Sequence, residues 1–255
     1  MKHHFVKTEN LTKLLAASAF MEERGSLSSP LCLMHGDPGV GKSRNISYYG
    51  AENGAVLVRG HVGQNLDGLI WTISKQLGVK HKNNRSEEMG EQIAAFRDLG
   101  APIIYDEAQF GLFMRWQKVP AAGIEYIRQL GESAGGFVIL VCHNSEVVKF
   151  SDSPHISNRI AHRFELHNAD EKDTIAFARQ LCEVEMGDGV GEFVYSQTGG
   201  KFRLIENAIA TLERIAKVKG KRRVDVDDLA GLTLVVDHVK SLIPKMAMTK
   251  KRRGN

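Results

Sequence analysis

The stretch Gly36–Ser43, GDPGVGKS, constrains this chain more than any other part of it. An apolar run, Leu31–Met34, leads into it, and helix-compatible residues follow Lys42. The pattern GxxxxGK[ST] works as a turn between a strand and a helix. Its glycines let consecutive backbone N–H groups point inward at an anion, and the next helix adds positive charge at its N-terminus. Lys42 has the reach to touch β- and γ-phosphates, and the Ser43 hydroxyl suits Mg²⁺. Gly36, Asp37, Pro38, Gly39, Val40, Gly41, Lys42, Ser43 and Arg44 are therefore the candidate phosphate contacts. ATP and Mg²⁺ are the expected ligands.

The rest of the pattern agrees with an α/β fold. GAVLVRG, APIIYDEA and GGFVILVCHN read as three further buried strands, at 54–60, 101–108 and 135–144. Helical spacing covers Leu11–Glu23, Leu66–Leu77, Glu87–Leu99 and Ala121–Ser133. Strands that are apolar throughout and alternate with helices form parallel sheets covered on both faces. From Asp170 onward the spacing is helical or turn-like and predicts no further strand. The expected architecture is a three-layer αβα domain with a parallel sheet over residues 1–167, its first 30 residues a helical lead-in. A small all-helical lid over 168–240 and a basic tail over 241–255 follow.

Composition narrows the partners. The net charge of +4 arises from 34 basic and 30 acidic residues, which speaks against a strongly basic nucleic-acid wrapper. Locally, Lys245, Lys250, Lys251, Arg252 and Arg253 make either a solvated end or a phosphate-backbone contact. Cys32, Cys142 and Cys182 each sit among apolar neighbours, as buried thiols do in a reducing, cytoplasmic setting. MKHHFVKTEN lacks the apolar core of a signal peptide, and no apolar run approaches the roughly 18 residues a membrane span needs. No membrane association is expected.

A second acidic element completes the chemistry. In PIIYDEA an apolar strand ends in Asp106 and Glu107, at the edge where open α/β sheets bind ligands. Asp106 is placed to hold Mg²⁺ through water, and Glu107 to orient or deprotonate the attacking water. An Asp-Glu pair here resembles the AAA+ class of P-loop ATPases. That resemblance implies three more residues. A polar sensor after the strand preceding HNSEVV falls on Asn144, with His143 second. An arginine reaching into a neighbouring subunit falls on Arg159, through Ser157-Asn158-Arg159, with Arg163 as the second choice. A lid arginine after a glycine turn falls on Arg203 in TGGKFRLIENAI. The implied catalytic set is Lys42, Glu107, Asn144, Arg159 and Arg203.

Within that class, MKHHFVKTEN, GDPGVGKSR, DEAQ, ISNRIA and GGKFRLIENAIATLER together resemble the short B-type transposition ATPases of Mu-like phages. The resemblance implies ATP-dependent, sequence-indifferent binding to duplex DNA as a homo-oligomer or helical filament. It further implies recruitment and stimulation of a transposase, disassembly on ATP hydrolysis, and a phage or prophage origin in the cytoplasm of a bacterial host. The Mu B family carries a helix-turn-helix domain ahead of its ATPase, and the residues before Leu31 are too few for one. DNA contacts are then expected from Lys80, Lys82 and Arg85 in KHKNNRSEE, from Lys118 after MRWQ, or from the tail. A replication initiator or helicase loader of the AAA+ class shares almost the whole site and is the alternative. Asp106-Glu107 followed by Arg159 and Arg203 argues against a small-molecule kinase, and Glu107 against a module that never hydrolyses.

Overall fold

Five apolar segments pair in parallel in the computed structural model, which describes residues 1–2, 5–24, 29–113, 121–152 and 154–235. They are β1 (Leu31–Gly36), β2 (Val56–Arg59), β3 (Ile103–Asp106), β4 (Val138–Cys142) and β5 (Ile160–Leu166), in the order β2-β3-β4-β1-β5. Every residue of β1, β3 and β4 is buried, because helices cover both faces. Alternate residues divide between those faces. Cys32, Met34, Ile104, Ile139 and Val141 meet Leu14, Ala17 and Met21 of α1 (Glu9–Arg24) and Ile46 and Tyr49 of α2 (Lys42–Asn53). On the other face Leu31, Leu33, Ile103, Tyr105, Val138 and Leu140 meet α3 (Leu66–Leu77), α4 (Arg85–Leu99) and α5 (Ala122–Ala134).

Helix α4 begins two residues before the point its apolar spacing predicts. The Asn84 side chain explains this: it accepts from the backbone N–H groups of Ser86 and Glu87 and so caps the first turn. Two short helices, α6 (Val147–Ser151) and α7 (Pro154–Ser157), lead into β5, with Phe150 and Ile156 buried against the same core. All three cysteines are free and buried, and burial pushes the Cys32 and Cys142 thiols up to about 12.

After β5 come α8 (Glu171–Leu181), α9 (Val190–Thr198) and α10 (Phe202–Lys219) around a second core that includes Phe177, Leu181, Val194, Ile205, Ile209 and Leu212. This region is mainly helical, but strands do not stop at Asp170. β6 (Glu185–Met186) and β7 (Arg223–Val224) form a two-residue parallel ladder. A pair that short carries no readable alternation. Met1 and Val6, ahead of α1, belong to this second core too. Val6 is buried in it, Lys2 N–H donates to the Leu181 carbonyl at 2.8 Å, and the terminal amine meets Glu183 at 2.6 Å and Glu213 at 2.8 Å.

Candidate nucleotide site

The loop between β1 and α2 is shaped by what its glycines exclude. A Cβ on Gly36 would stand 2.7 Å from the Leu166 carbonyl oxygen and 2.9 Å from Val40. Gly39 and Gly41 take positive φ of 93° and 85°, the left-handed backbone that turns the loop into the helix. Lys42 is buried; its Nζ donates to the carbonyls of Gly36 at 2.7 Å and Asp37 at 3.1 Å and lies 3.3 Å from His143 Nδ1. Burial pushes this ammonium below the ordinary lysine value, and the nearby Glu107 carboxylate opposes the shift. Ser43 Oγ donates to Asp106 Oδ2 at 3.2 Å.

The end of β3 is held from both sides. Gly60 N–H, just past β2, donates to the Asp106 carbonyl at 2.9 Å, and Ala108 N–H donates to the Val141 carbonyl of β4 at 2.8 Å. Between these anchors Glu107 has a φ of 55°, the one positive value at a non-glycine among the described residues. Such a backbone costs on the order of 1 kcal/mol and persists where surrounding structure enforces it. The Glu107 carboxylate accepts from Gln109 Nε2, lies 3.5 Å from His143 Nε2 and 3.9 Å from Arg59 Nη2. Arg59 Nε is also 3.9 Å from Asp106. Arg59 and the bridging place of His143 have no motif of their own, and Gln109 enters the sequence reading only as the last residue of DEAQ. The one sequence signal for Arg59 is its position at the end of a strand on the same sheet edge.

Lys42, Ser43, Glu107, His143 and Arg203 line one cleft of about 240 Å³, together with Pro38, Gly39, Gly41 and Phe202. Arg203 stands in the first turn of α10, next to Phe202, whose N–H donates to the Gly39 carbonyl at 3.2 Å. Asn144 reaches the loop by donating to Asp37 Oδ1 at 3.0 Å. Arg44 lines the same cleft with Glu206 of α10; its guanidinium pairs with Glu206 and lies over the rings of Phe5 and Phe177. These contacts tie α2 to the helical region.

The two arginines weighed for a neighbour's site are placed differently. Arg159 sits at the start of β1, where its carbonyl accepts from Leu31 N–H at 3.3 Å. Five residues of strand, about 17 Å, separate that end from the phosphate loop. Its Nη1 is 3.4 Å from Glu132. Arg163 lies inside β5 rather than ahead of it, and its Nε donates to His35 Nε2 at 3.0 Å. Of the basic residues expected to meet DNA, Lys82 pairs with Glu87 and Glu91, and Arg85 with Asp67. Lys80 is exposed. Lys118 and the tail 241–255 lie outside the described residues.

The residues present fit MgATP. Ser43 and Asp106 are hard oxygen donors within 3.2 Å of each other, the donor type Mg²⁺ takes. A lysine and a helix N-terminus face the same space. Burial pushes the Asp106 carboxyl above the ordinary aspartate value of 3.8, with the bond from Glu107 N–H pulling the other way. A Mg²⁺ held at Asp106 would need the carboxylate, so its affinity would be full above that raised value and lost as pH falls through it. Mg²⁺-dependent binding of a fluorescent ATP analogue should therefore weaken on the acid side earlier than an ordinary aspartate would dictate. An Asp106→Asn variant should bind Mg²⁺ weakly and lose that dependence; an unchanged profile in the variant would assign it elsewhere.

One structural residue of the site has no sequence signature. Asn10 of α1 is buried and donates to the Val40 carbonyl at 3.1 Å and the His167 carbonyl at 2.7 Å, while accepting from His167 N–H at 3.2 Å. It clamps the phosphate loop to the exit of β5. Asn10→Ala leaves these buried groups without partners and should cost about 2 kcal/mol. Urea denaturation checks this, and an unshifted midpoint would contradict it.

Residues 27–149 match the family model described as an AAA domain. Among solved structures, the RuvB Holliday junction branch migration motor of Thermotoga maritima is similar, with a TM-score of 0.60 at 17% identity over 89% of this chain and 68% of that one. The Aeropyrum pernix ORC2 protein, in ADPNP–ADP complexes, aligns with a TM-score of 0.62 at 14% identity over 96% and 74%. Cdc6p from Pyrobaculum aerophilum aligns at 0.61 and 13% over 95% and 73%. No curated protein matches the sequence significantly. Among the described residues no helix is long and apolar enough to cross a membrane. The AAA domain match, the phosphate loop at the end of β1 and the strand order β2-β3-β4-β1-β5 give this chain the AAA+ P-loop α/β fold.

Proposed function

We propose that this chain is a Mg²⁺-dependent ATPase, completed at subunit interfaces, that uses ATP to assemble on duplex DNA largely without reading its sequence. The assembly recruits and stimulates a transposase and comes apart when ATP is hydrolysed. The observation that carries the ATPase reading is the convergence of Lys42, Ser43, Glu107 and Arg203 on one cleft, with Asp106 bonded to Ser43. In this reading Lys42 and the loop N–H groups bind the phosphates. Ser43 and Asp106 hold Mg²⁺, which offsets phosphate charge when bound. Glu107 orients the attacking water and takes its proton, Asn144 senses the terminal phosphate, and Arg203 neutralises charge from the helical side. The distance of Arg159 from its own loop supports a role in a neighbour's site. Assembly then depends on the γ-phosphate, and hydrolysis removes the contact that favoured the assembled state.

The DNA part draws on proteins of similar fold: a Holliday junction branch migration motor, and the Aeropyrum pernix ORC1 protein in complex with DNA, with a TM-score of 0.56 at 14% identity. The transposase, and an origin in a phage or prophage acting in bacterial cytoplasm, rest on the sequence resemblance to the Mu B family. For the DNA contact, Lys82 and Arg85 would have to exchange their carboxylate partners for phosphates, so Lys80, Lys118 and the 241–255 tail are the stronger candidates. The similarity to ORC2 and Cdc6p over nearly the whole chain favours a second reading, a replication initiator or helicase loader.

Electron microscopy of the protein with random-sequence duplex DNA separates the two. Filaments with a slowly hydrolysed ATP analogue, absent with ADP, are expected. No higher-order species with the analogue overturns the transposition reading, and binding confined to one DNA sequence favours the initiator. Stimulation of strand transfer by a transposase encoded beside this chain tests the partner.

A further inference from the structure

We propose that His35, held by Arg163, positions Asn144: the hydrogen-bonded series Arg163–His35–Asn144 determines which way the Asn144 amide faces. This rests on the ATPase reading above, in which Asn144 senses the terminal phosphate. His35 is 3% exposed at the end of β1, on the sheet face it shares with Arg163 and Glu165 of β5. An imidazole placed there needs a reason, since a burial this complete is tolerated only with its polar atoms satisfied.

The chemistry of the two ends leaves one arrangement of protons. An arginine guanidinium only donates. Its Nε lies 3.0 Å from His35 Nε2, so Nε2 accepts and the neutral ring carries its proton on Nδ1. Nδ1 then donates to Asn144 Oδ1 at 2.7 Å. At the far end Asn144 Nδ2 donates to Asp37 Oδ1 at 3.0 Å and to Glu165 Oε1 at 2.8 Å, and carboxylates only accept. Rotating the amide by half a turn would set its carbonyl against two carboxylates and its NH₂ against an Nδ1–H. The series therefore keeps the Asn144 NH₂ turned to the phosphate loop, where a phosphate oxygen would take over one of the two hydrogens now given to Asp37 and Glu165. Removing His35 takes away the donor that fixes the Asn144 carbonyl, so that only the two carboxylates still hold the amide.

His35 is thus a positioning residue that acts through Asn144, and a double-mutant cycle reads this directly. His35→Ala should lower kcat for ATP about tenfold, the size a misplaced group commonly costs, with nucleotide Kd changed less than about twofold. In an Asn144→Ala background the same substitution should change kcat little. His35→Gln, which keeps a donor and an acceptor in the same space, should recover part of the loss and serves if the alanine variant does not fold. Ring ¹⁵N shifts of the full chain should show the Nδ1–H tautomer, lost in Arg163→Ala. An Nε2–H tautomer in the unsubstituted protein, or an equal kcat loss with and without Asn144, overturns the inference while leaving the ATPase reading intact. No ATP hydrolysis by the unsubstituted protein with DNA present overturns the ATPase reading, and this inference with it.

Discussion

Glu107→Gln should lower ATP turnover by about 10² to 10⁴-fold, the contribution typical of a positioned general base, while ATP stays bound. The exchange keeps the shape of the side chain and an oxygen that can accept from Gln109 Nε2. It removes the negative charge and the proton acceptor. The backbone at 107 is held by Gly60 and by the Ala108–Val141 bond, so the variant has no cause to rearrange the loop. ATP-bound assemblies on DNA should therefore persist. Lys42→Ala should have the opposite outcome, because it removes the buried ammonium from the cleft proposed to hold the phosphates. Single-turnover hydrolysis and filament lifetime measure the two effects. Unchanged turnover in Glu107→Gln would place the base elsewhere, and equal DNA affinity in both variants would refute an ATP-gated switch.

Gly200→Ala should destabilise the protein by about 3 kcal/mol or more, beyond the usual range for a single added methyl. Gly200 has a φ of 72°, and a Cβ there would overlap the Ala169 carbonyl oxygen and lie 2.9 Å from its carbon. That oxygen belongs to backbone already bonded to Gly200, whose carbonyl accepts from Ala169 N–H at 2.9 Å. Neither side can move without breaking the junction where the helical region meets the exit of β5. The same junction aims Phe202 at Gly39 and Arg203 into the cleft. Gly54→Ala separates the two causes. Gly54 also has a positive φ, 67°, but nothing lies within 4 Å of its Cβ position. Its loss should be about 1–2 kcal/mol, the cost of left-handed backbone alone. A Gly200→Ala loss no larger than this, in urea denaturation, would show that the clash relaxes freely.

The sheet was legible because β4 and all but the last residues of β1 and β3 form runs of hydrophobic residues, a pattern that fits burial on both faces. Helix α3 was legible to its ends, Leu66 and Leu77, since its apolar spacing runs between Asn65 and Gly78, each a strong cap. Other features were not. Arg163 looked like a residue before a strand because HRFEL is half polar, as an edge strand is. Nothing local announces that Arg44, which lines the cleft, also meets Glu206 and Phe177.

What the sequence by itself determined is the chemistry that fits in a contiguous stretch. Eight residues suffice to predict a phosphate loop, and an acidic pair at a strand end suffices to propose a metal ligand and a base, because backbone geometry there follows from the residues themselves. Tertiary structure alone decided how those groups are held and aimed. Asn10 meets His167 across 157 positions, Arg163 meets His35 across 128, and Asn144 meets His35 across 109. Such bonds form only after the sheet orders its strands as β2-β3-β4-β1-β5, which sets β5 and β4 on either side of β1. No local preference encodes that adjacency; it comes from burying both faces of one sheet at once.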